Sequence, residues 1–454
     1  MDLLFHEGHP PESGTRPTTM PTTDTIVLAA GLRLPQARAG GAYQGEDAAH
    51  LATVLCRELF ARHDLDPACF DEVIAGSVGP PHDQANVARV LAVRSGVPRS
   101  TPAHTVARNC ASGMQAVTTA VNQIRAGQGD TYLCVGVEHM SAYPLLFNRK
   151  ATAFFSRLAF ARGTGAKLSA LASWRPAMLA PRVSVVEGLT DPLTDMIMGS
   201  TAELLARDWG LTREDADHFA AESHNRAEAA REAGRMEREV MPYLAKDAKP
   251  KAKALVADDG IRDGQSVTAL AKLRPYFEKP DGVVTVGNAC GLTDGATALV
   301  VCTAERAREL GLAPLATIRA HAWSGCDPKR MGLGPVFSSS RCLDEAGVTL
   351  DDVGVVELNE AFATQVLACR KAFASKAFAE KHLGRAEALG ELAPKRLNPN
   401  GGAIAIGHPV GATGARLLLT TALELEFGDH ELGLATLCIG GGQGGAVLLE
   451  RYQA

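Results

Sequence analysis

Cys110, His408 and Cys438 each stand in a glycine-rich loop: Asn109-Cys110-Ala111-Ser112-Gly113, Gly407-His408-Pro409 and Cys438-Ile439-Gly440-Gly441-Gly442. Two thiols and one imidazole in such settings suggest a nucleophile, a base that makes its thiolate, and a second thiol that moves a proton elsewhere. Cys110 comes just before a helix pattern, where free N–H groups and the helix dipole favour an anion, so a thiolate is expected at neutral pH. His408 lies among Gly401, Gly402, Gly411 and Gly414, which would let backbone approach a substrate closely. Cys438 ends a strand pattern, and the amides of Gly440 and its neighbours are suited to an oxyanion hole. A fourth loop, Asn359-Glu360-Ala361-Phe362-Ala363, offers an amide to orient a water or carbonyl and a carboxylate to hold a neighbour. Each residue alone has a plain alternative: a small buried hydrophobe, a turn histidine, a tight turn. The four loops together indicate acyl transfer.

The elements that must position these loops read as α/β. Apolar runs of strand length alternate with amphipathic stretches. Asp71–Gly76 and Tyr132–Val137 read as buried strands, Ala116–Ala126 as a buried helix. The order recurs at the C-terminal end: strand Val353–Leu358, a long helical stretch Ala361–Leu383, helix Ala412–Phe427 and strand Leu434–Cys438. The openings Cys110-Ala-Ser-Gly-Met-Gln-Ala and Gly411-Ala-Thr-Gly-Ala-Arg-Leu are alike, which suggests a duplicated half. The expected division is a disordered tail at 1–23, an N-terminal half at 24–142 completed by 281–310, an inserted loop domain at 143–280, and a C-terminal half at 311–454. Thr212-Arg213-Glu214-Asp215 reads as a capping box opening a long polar helix, expected to belong to a peripheral lobe. Residues 148–186 carry seven Arg or Lys and no Asp or Glu, interleaved with Phe154, Phe155, Phe160, Leu168, Leu171 and Trp174.

A formal charge of -5 argues against nucleic acid as partner. The ten cysteines lack CxxC pairs, as expected of reduced thiols in a cytoplasmic protein, with neither disulfides nor a metal site. No apolar run is long enough for a signal peptide or a membrane span. The Walker pattern GxxxxGK[ST] is absent, and no GxGxxG follows an N-terminal strand.

With these motifs assembled, the chain resembles the thiolase family. Asn-Cys-Ala-Ser-Gly-Met, Asn-Glu-Ala-Phe-Ala, Gly-His-Pro and Cys-Ile-Gly-Gly-Gly match its four active-site loops in order. Met198–Glu203, Lys272–Pro275 and Gly287–Gly295 match its loop domain and the return to the first half. The resemblance implies a duplicated five-layered α-β-α-β-α fold with an inserted loop domain. It implies that Cys110 is acylated, that His408 activates it, and that Cys438 is the acid/base at the acetyl carbon. One oxyanion hole would combine His408 with a water held by Asn359; the other would use the amides of Cys110 and Gly440. Met198, Arg262, Phe277, Cys290, Ala361 and Phe362 would contact acyl-CoA, with coenzyme A as co-substrate and no permanently bound cofactor.

The implied reaction is CoA-dependent cleavage of a 3-ketoacyl-CoA in fatty-acid β-oxidation, the alternatives being condensation of two acetyl-CoA and a non-catalytic acyl-CoA-binding relative. A homodimer or homotetramer is expected. The basic-apolar insertion, Lys329–Pro335 and Leu383-Gly384-Arg385 resemble the thiolase component of the fatty-acid-oxidation trifunctional complex. That points to long acyl chains, a hydratase/dehydrogenase partner and peripheral membrane contact through 148–186; a solvated basic face over the adenine-phosphate end of CoA is the other reading of that stretch. Two features depart from that subfamily: Asn359 stands where it usually has His, and its nucleophile loop usually differs from Asn-Cys-Ala-Ser-Gly. Cys290 also stands where many thiolases have Ser.

Overall fold

A computed structural model of the chain describes residues 25–246 and 252–453; the expected N-terminal tail lies outside them. The strands that matter for the site are β1 (Ile26–Arg33), β2 (Glu72–Gly76), β3 (Ala103–Val106), β4 (Thr131–His139), β5 (Thr293–Thr303), β6 (Ala316–Gly325), β7 (Val355–Leu358), β8 (Leu432–Ile439) and β9 (Gln443–Arg451). The helices are α1 (Ala48–Arg62), α2 (Val87–Ser95), α3 (Ser112–Arg125), α4 (Arg149–Phe160), α5 (Thr164–Ala172), α6 (Met198–Asp208), α7 (Arg213–Glu232), α8 (Gly334–Ala346), α9 (Ala363–Phe373) and α10 (Val410–Phe427).

The strands run β7-β8-β9-β6-β1-β5-β4-β2-β3, and the pairing pattern repeats. In the first half β2 lies parallel to β4, β4 antiparallel to β5, and β5 antiparallel to β1. In the second, β7 lies parallel to β8, β8 antiparallel to β9, and β9 antiparallel to β6. A parallel bridge from Val356 to Leu397 stands where the first half has β3. The duplication read from two similar helix openings is therefore present in the strand pairing itself.

Three apolar clusters define five layers. Leu51, Leu55 and Leu59 of α1 and Leu91 of α2 cover one outer face. Leu205 of α6, Phe219 of α7, Val336 of α8 and Val366 of α9 cover the other. Between the two half-sheets lie Ala116, Val117 and Val121 of α3 with Leu417, Leu418 and Leu419 of α10. Every residue of α10 from Val410 to Leu425 is buried, as expected of a helix enclosed on all sides.

The crossing of α3 and α10 accounts for Gly113, Gly136, Gly411 and Gly414. A Cβ on Gly414 would stand 2.5 Å from the Met114 nitrogen, and one on Gly113 would stand 2.8 Å from both the Ala415 nitrogen and the Gly411 oxygen. A Cβ on Gly136 of β4 would likewise meet the Gly411 oxygen at 2.7 Å. Gly411 and Gly414 thus make room for protein backbone rather than for substrate, correcting the expectation from sequence. Gly402 and Gly407 do the same for the Glu360 and Thr293 side chains. The result is that the first turns of α3 and α10 touch, and Cys110 and His408 each lie two residues before their helix.

Two element readings change. The helix expected over 361–383 stops at Phe373; the Ser375 side chain caps a new turn by accepting from the Phe378 amide, and a wide turn over Ala379–Leu383 ends at Gly384 with φ 67°. The capping box at Thr212 and Asp215 is present. Its helix, α7, is not peripheral, because Ala216, Phe219, Ala220 and Ala227 form an apolar stripe against the core, and its buried polar groups have partners. Asp217 accepts from the Asn288 amide at 2.9 Å, and the Ser223 hydroxyl donates to Glu360 at 2.6 Å. Satisfied polar groups let a charged-looking helix enter the interior.

In the 148–186 stretch, α4 and α5 leave Phe155, Phe160, Leu168 and Leu171 exposed beside Arg149, Lys150 and Lys167. No helix among the described residues is long and apolar enough to cross a membrane.

Candidate active site

Asn109 sets the Cys110 loop. Its φ of 44° lies in the left-handed region that Asn tolerates better than most residues. From there its side-chain amide donates to the Gly440 oxygen at 2.8 Å. The Ser112 hydroxyl closes the loop by donating to the Asn109 oxygen at 2.7 Å. These contacts turn the Gly440 N–H toward the Cys110 sulfur. Asn109 was legible only as part of a motif; its positive φ gives it a separate function.

Burial pushes the Cys110 thiol up, and the Gly440 amide offsets only part of that. This corrects the expectation of a resting thiolate. Desolvation outweighs the amides, so Cys110 waits as a neutral thiol and needs a base.

His408 is buried, not a solvent-facing loop residue. Its Nδ1 lies 2.7 Å from the Thr413 hydroxyl, whose own proton goes to the Pro409 oxygen at 3.1 Å. Nδ1 must therefore carry the ring proton and Nε2 must be bare. Nε2 is buried with no partner. Burial, reinforced by Arg416, lowers the imidazole pKa to about 3, so the base form persists across the physiological range. Thr413 was not foreseen, since nothing in the sequence says which hydroxyl faces Nδ1.

The Asn359 side chain is also buried, and both its Oδ1 and its Nδ2 are unpartnered. Orphaned amide atoms in an interior are costly and mark a place for an absent polar group. Glu360 beside it does hold its neighbours: it accepts from Ser223, from the Asn398 amide at 2.8 Å and from the Ile404 N–H at 3.2 Å.

Cys438, at the end of β8, is enclosed with Ala202, Val284, Met331, Ala361 and Phe362, against which Met198 and Phe277 pack. Burial, then the nearby Cys110, Cys369 and Cys290 sulfurs, raise its thiol well above the usual range. Phe277 and Phe362 meet edge to face, with ring centroids 6.2 Å apart. The Cys290 N–H donates to the Ala361 oxygen at 3.1 Å. Four of the expected substrate contacts, Met198, Phe277, Ala361 and Phe362, are thus gathered around Cys438, and Cys290 is tied to them.

A cavity of about 310 Å³ opens beside Cys110. Its walls include Met140, Tyr143, Val185, Leu189, Leu193, Met198, Val410 and Gly440. Met198 belongs both to this cavity and to the Cys438 cluster, so the two thiols share a wall. Arg262 does not join them. It is exposed, and its backbone N–H donates to His224 Nδ1 at 3.3 Å.

The chain matches the model of the thiolase N-terminal domain over residues 26–305 and that of the thiolase C-terminal domain over 312–451. It is a thiolase. It is 38% identical over 429 residues to an acetyl-CoA acetyltransferase of Cupriavidus necator, covering 94% of this chain and 100% of that one. It is also 38% identical to a 3-ketoacyl-CoA thiolase of Pectobacterium carotovorum, covering 94% and 97%. Among solved structures, human mitochondrial 3-ketoacyl-CoA thiolase in complex with CoA superposes with a TM-score of 0.81 at 31% identity, over 95% of this chain and 98% of that one. This thiolase is accordingly an acyltransferase whose co-substrate is coenzyme A.

The low His408 pKa has a consequence for stability. The folded state refuses a proton that the unfolded chain takes below its ordinary value of 6.5, so the His408 contribution is present at neutral pH and lost as pH falls below about 6.5. Relative to His408→Asn, the wild type is expected to lose about 2 kcal/mol of unfolding free energy between pH 6.5 and 5. Urea unfolding of both proteins at the two pH values checks it, and parallel pH curves would refute it.

Proposed function

We propose that this thiolase cleaves 3-ketoacyl-CoA substrates of medium or long chain into acetyl-CoA and a shortened acyl-CoA, in the degradative direction of fatty-acid β-oxidation. The observation that supports the reading is the apolar lining of the cavity beside Cys110, by Met140, Val185, Leu189, Leu193 and Met198. Each methylene buried there is worth about 0.8 kcal/mol, which favours a chain longer than two carbons.

In this reading His408 Nε2 takes the Cys110 proton, and the thiolate adds to the C3 carbonyl. The C2–C3 bond breaks, leaving the acyl group on Cys110; the acetyl-CoA carbanion takes the Cys438 proton. Coenzyme A then gives its thiol proton to the Cys438 thiolate and attacks the acyl thioester. The Cys110 thiolate leaves and recovers its proton from His408, so both thiols end as they began. His408 Nε2, a donor once it holds the Cys110 proton, and a water on the orphaned Asn359 amide fit one oxyanion hole for the thioester oxygen, and the Gly440 amide beside Cys110 fits a second.

The second reading is condensation of two acetyl-CoA, favoured by the likeness to the acetyl-CoA acetyltransferase of Cupriavidus necator. Thiolysis of acetoacetyl-CoA compared with a 3-ketoacyl-CoA of ten or more carbons separates the two. The expected result is a kcat/KM at least about tenfold higher for the longer chain; equal values, or a preference for acetoacetyl-CoA, would favour the second. The proposal includes contact of the exposed face of α4 and α5 with an anionic lipid surface. Co-sedimentation with anionic vesicles at low salt tests it, and a protein that stays in the supernatant rejects it.

A further inference from the structure

The strand registers assign equivalent positions in the two halves. Gly76 of β2 pairs with Gly136 of β4, and Leu358 of β7 pairs with Thr436 of β8. One residue beyond the first of each pair are Ser77 and Asn359; two beyond the second are Glu138 and Cys438. Cys110 and His408 each lie two residues before the central helix of their half. The duplication therefore maps Cys110 on His408, Ser77 on Asn359 and Glu138 on Cys438. Three of these six have the roles proposed above, and Asn359 has a fourth. Glu138 and Ser77 have none.

Glu138 is fully buried, and four donors converge on it. Its Oε2 accepts from the Val78 N–H at 2.9 Å and the Gly411 N–H at 3.0 Å; its Oε1 accepts from the Gly79 N–H and the Tyr143 hydroxyl, each at 3.0 Å. Gly411 lies in the first turn of α10, three residues beyond His408, whereas Val78 and Tyr143 line the Cys110 cavity. One carboxylate thus joins the base of one half to the cavity of the other. Ser77 stays close to the same junction: a Cβ on Gly411 would stand 3.0 Å from its Cα.

We propose that Glu138 is a positioning residue for the thiol chemistry: it fixes the His408 loop against the Cys110 cavity and places a negative charge where proton transfer between them occurs. The proposal rests on the reading of Cys110 as nucleophile and His408 as base. Burial pushes the Glu138 carboxyl up and its four donors pull it back toward the carboxylate, and a charge held there disfavours the Cys110 thiolate at rest. Tyr143, Cys290 and Cys438 are the other titratable groups that interact with the Cys110 sulfur.

The test uses the full-length protein as wild type, Glu138→Gln and Glu138→Asp. Three readouts are taken: kcat and KM for thiolysis, the pH midpoint of Cys110 alkylation by iodoacetamide, and the thermal midpoint. Glu138→Gln removes the charge and turns an NH2 toward N–H donors. It is expected to lower kcat roughly 10- to 100-fold with KM changed less than about threefold, and to move the alkylation midpoint down by about one pH unit. Glu138→Asp keeps the charge on a shorter arm, so kcat falls while the midpoint stays within a few tenths. Wild-type kcat and midpoint in Glu138→Gln overturn the proposal. So does a parallel loss of kcat, KM and thermal midpoint with the alkylation midpoint unmoved, since that is what a merely structural carboxylate would do. If Glu138→Gln does not fold, Glu138→Asp decides, and unchanged kcat there also overturns it. Failure of the underlying reading is separately visible: the wild type would then form no acyl adduct on Cys110 by intact mass.

Discussion

Replacing Cys110 by alanine is expected to abolish the acyl-enzyme and to lower thiolysis by roughly 10⁴-fold or more, since covalent nucleophiles act as a unit with their base. Incubation with an acyl-CoA followed by intact-mass measurement should show one acyl group on the wild type and none on Cys110→Ala. Cys438→Ala provides the contrast. Acylation from a simple thioester needs no proton at carbon, so this variant should still acquire the acyl group while losing carbon–carbon cleavage. An adduct that persists in Cys110→Ala would place the nucleophile elsewhere. Failure of Cys438→Ala to acylate would mean that the second thiol serves the first, not the acetyl carbon.

The second large effect is structural. Gly414→Ala puts a methyl group 2.5 Å from the Met114 backbone nitrogen, in a contact between two helices that are themselves enclosed by sheets. Neither backbone can retreat without moving the rest of the central layer. A loss of about 1–3 kcal/mol of stability is expected, with a fall of roughly 100-fold in kcat because the Cys110 and His408 loops shift apart. Gly165→Ala in α5 is the control: nothing lies within 4 Å of its added methyl, and stability should be unchanged or slightly higher. Equal thermal midpoints for the two variants would show that the helix crossing tolerates expansion.

The reactive residues were legible because their signals are local. Cys, His and Gly in short loops at the ends of apolar runs can be read without knowing what packs where, and so can the capping box at Thr212. The partners of those residues were not. That Thr413 fixes the His408 tautomer, that Asn109 aims the Gly440 amide and that Glu138 joins the halves depend on which groups face each other after folding. The protonation of Cys110 failed for the same reason: the helix-end effect is visible in sequence, whereas the burial that outweighs it is not. The pairing of β5 with β1 and β4 spans more than a hundred residues and follows from tertiary packing alone. The helix break at Ser375 was missed because an Ala- and Lys-rich run keeps helical propensity across it; the serine cap decides otherwise.

The seam between the half-sheets is short. β1 and β6 share only the pairs Val27–Thr317 and Leu28–Ala316, so few ladder hydrogen bonds cross it. What joins the halves is α3 against α10, each of which lies under the other's sheet as well as its own. A chain made of two copies of one plan invites the thought of two autonomous bodies that could be severed and kept. Here neither copy owns a finished interior, so cutting the link between them would leave two sticky fragments. Duplication in this molecule produced interdependence: the repeat unit is a shape, not a folding unit.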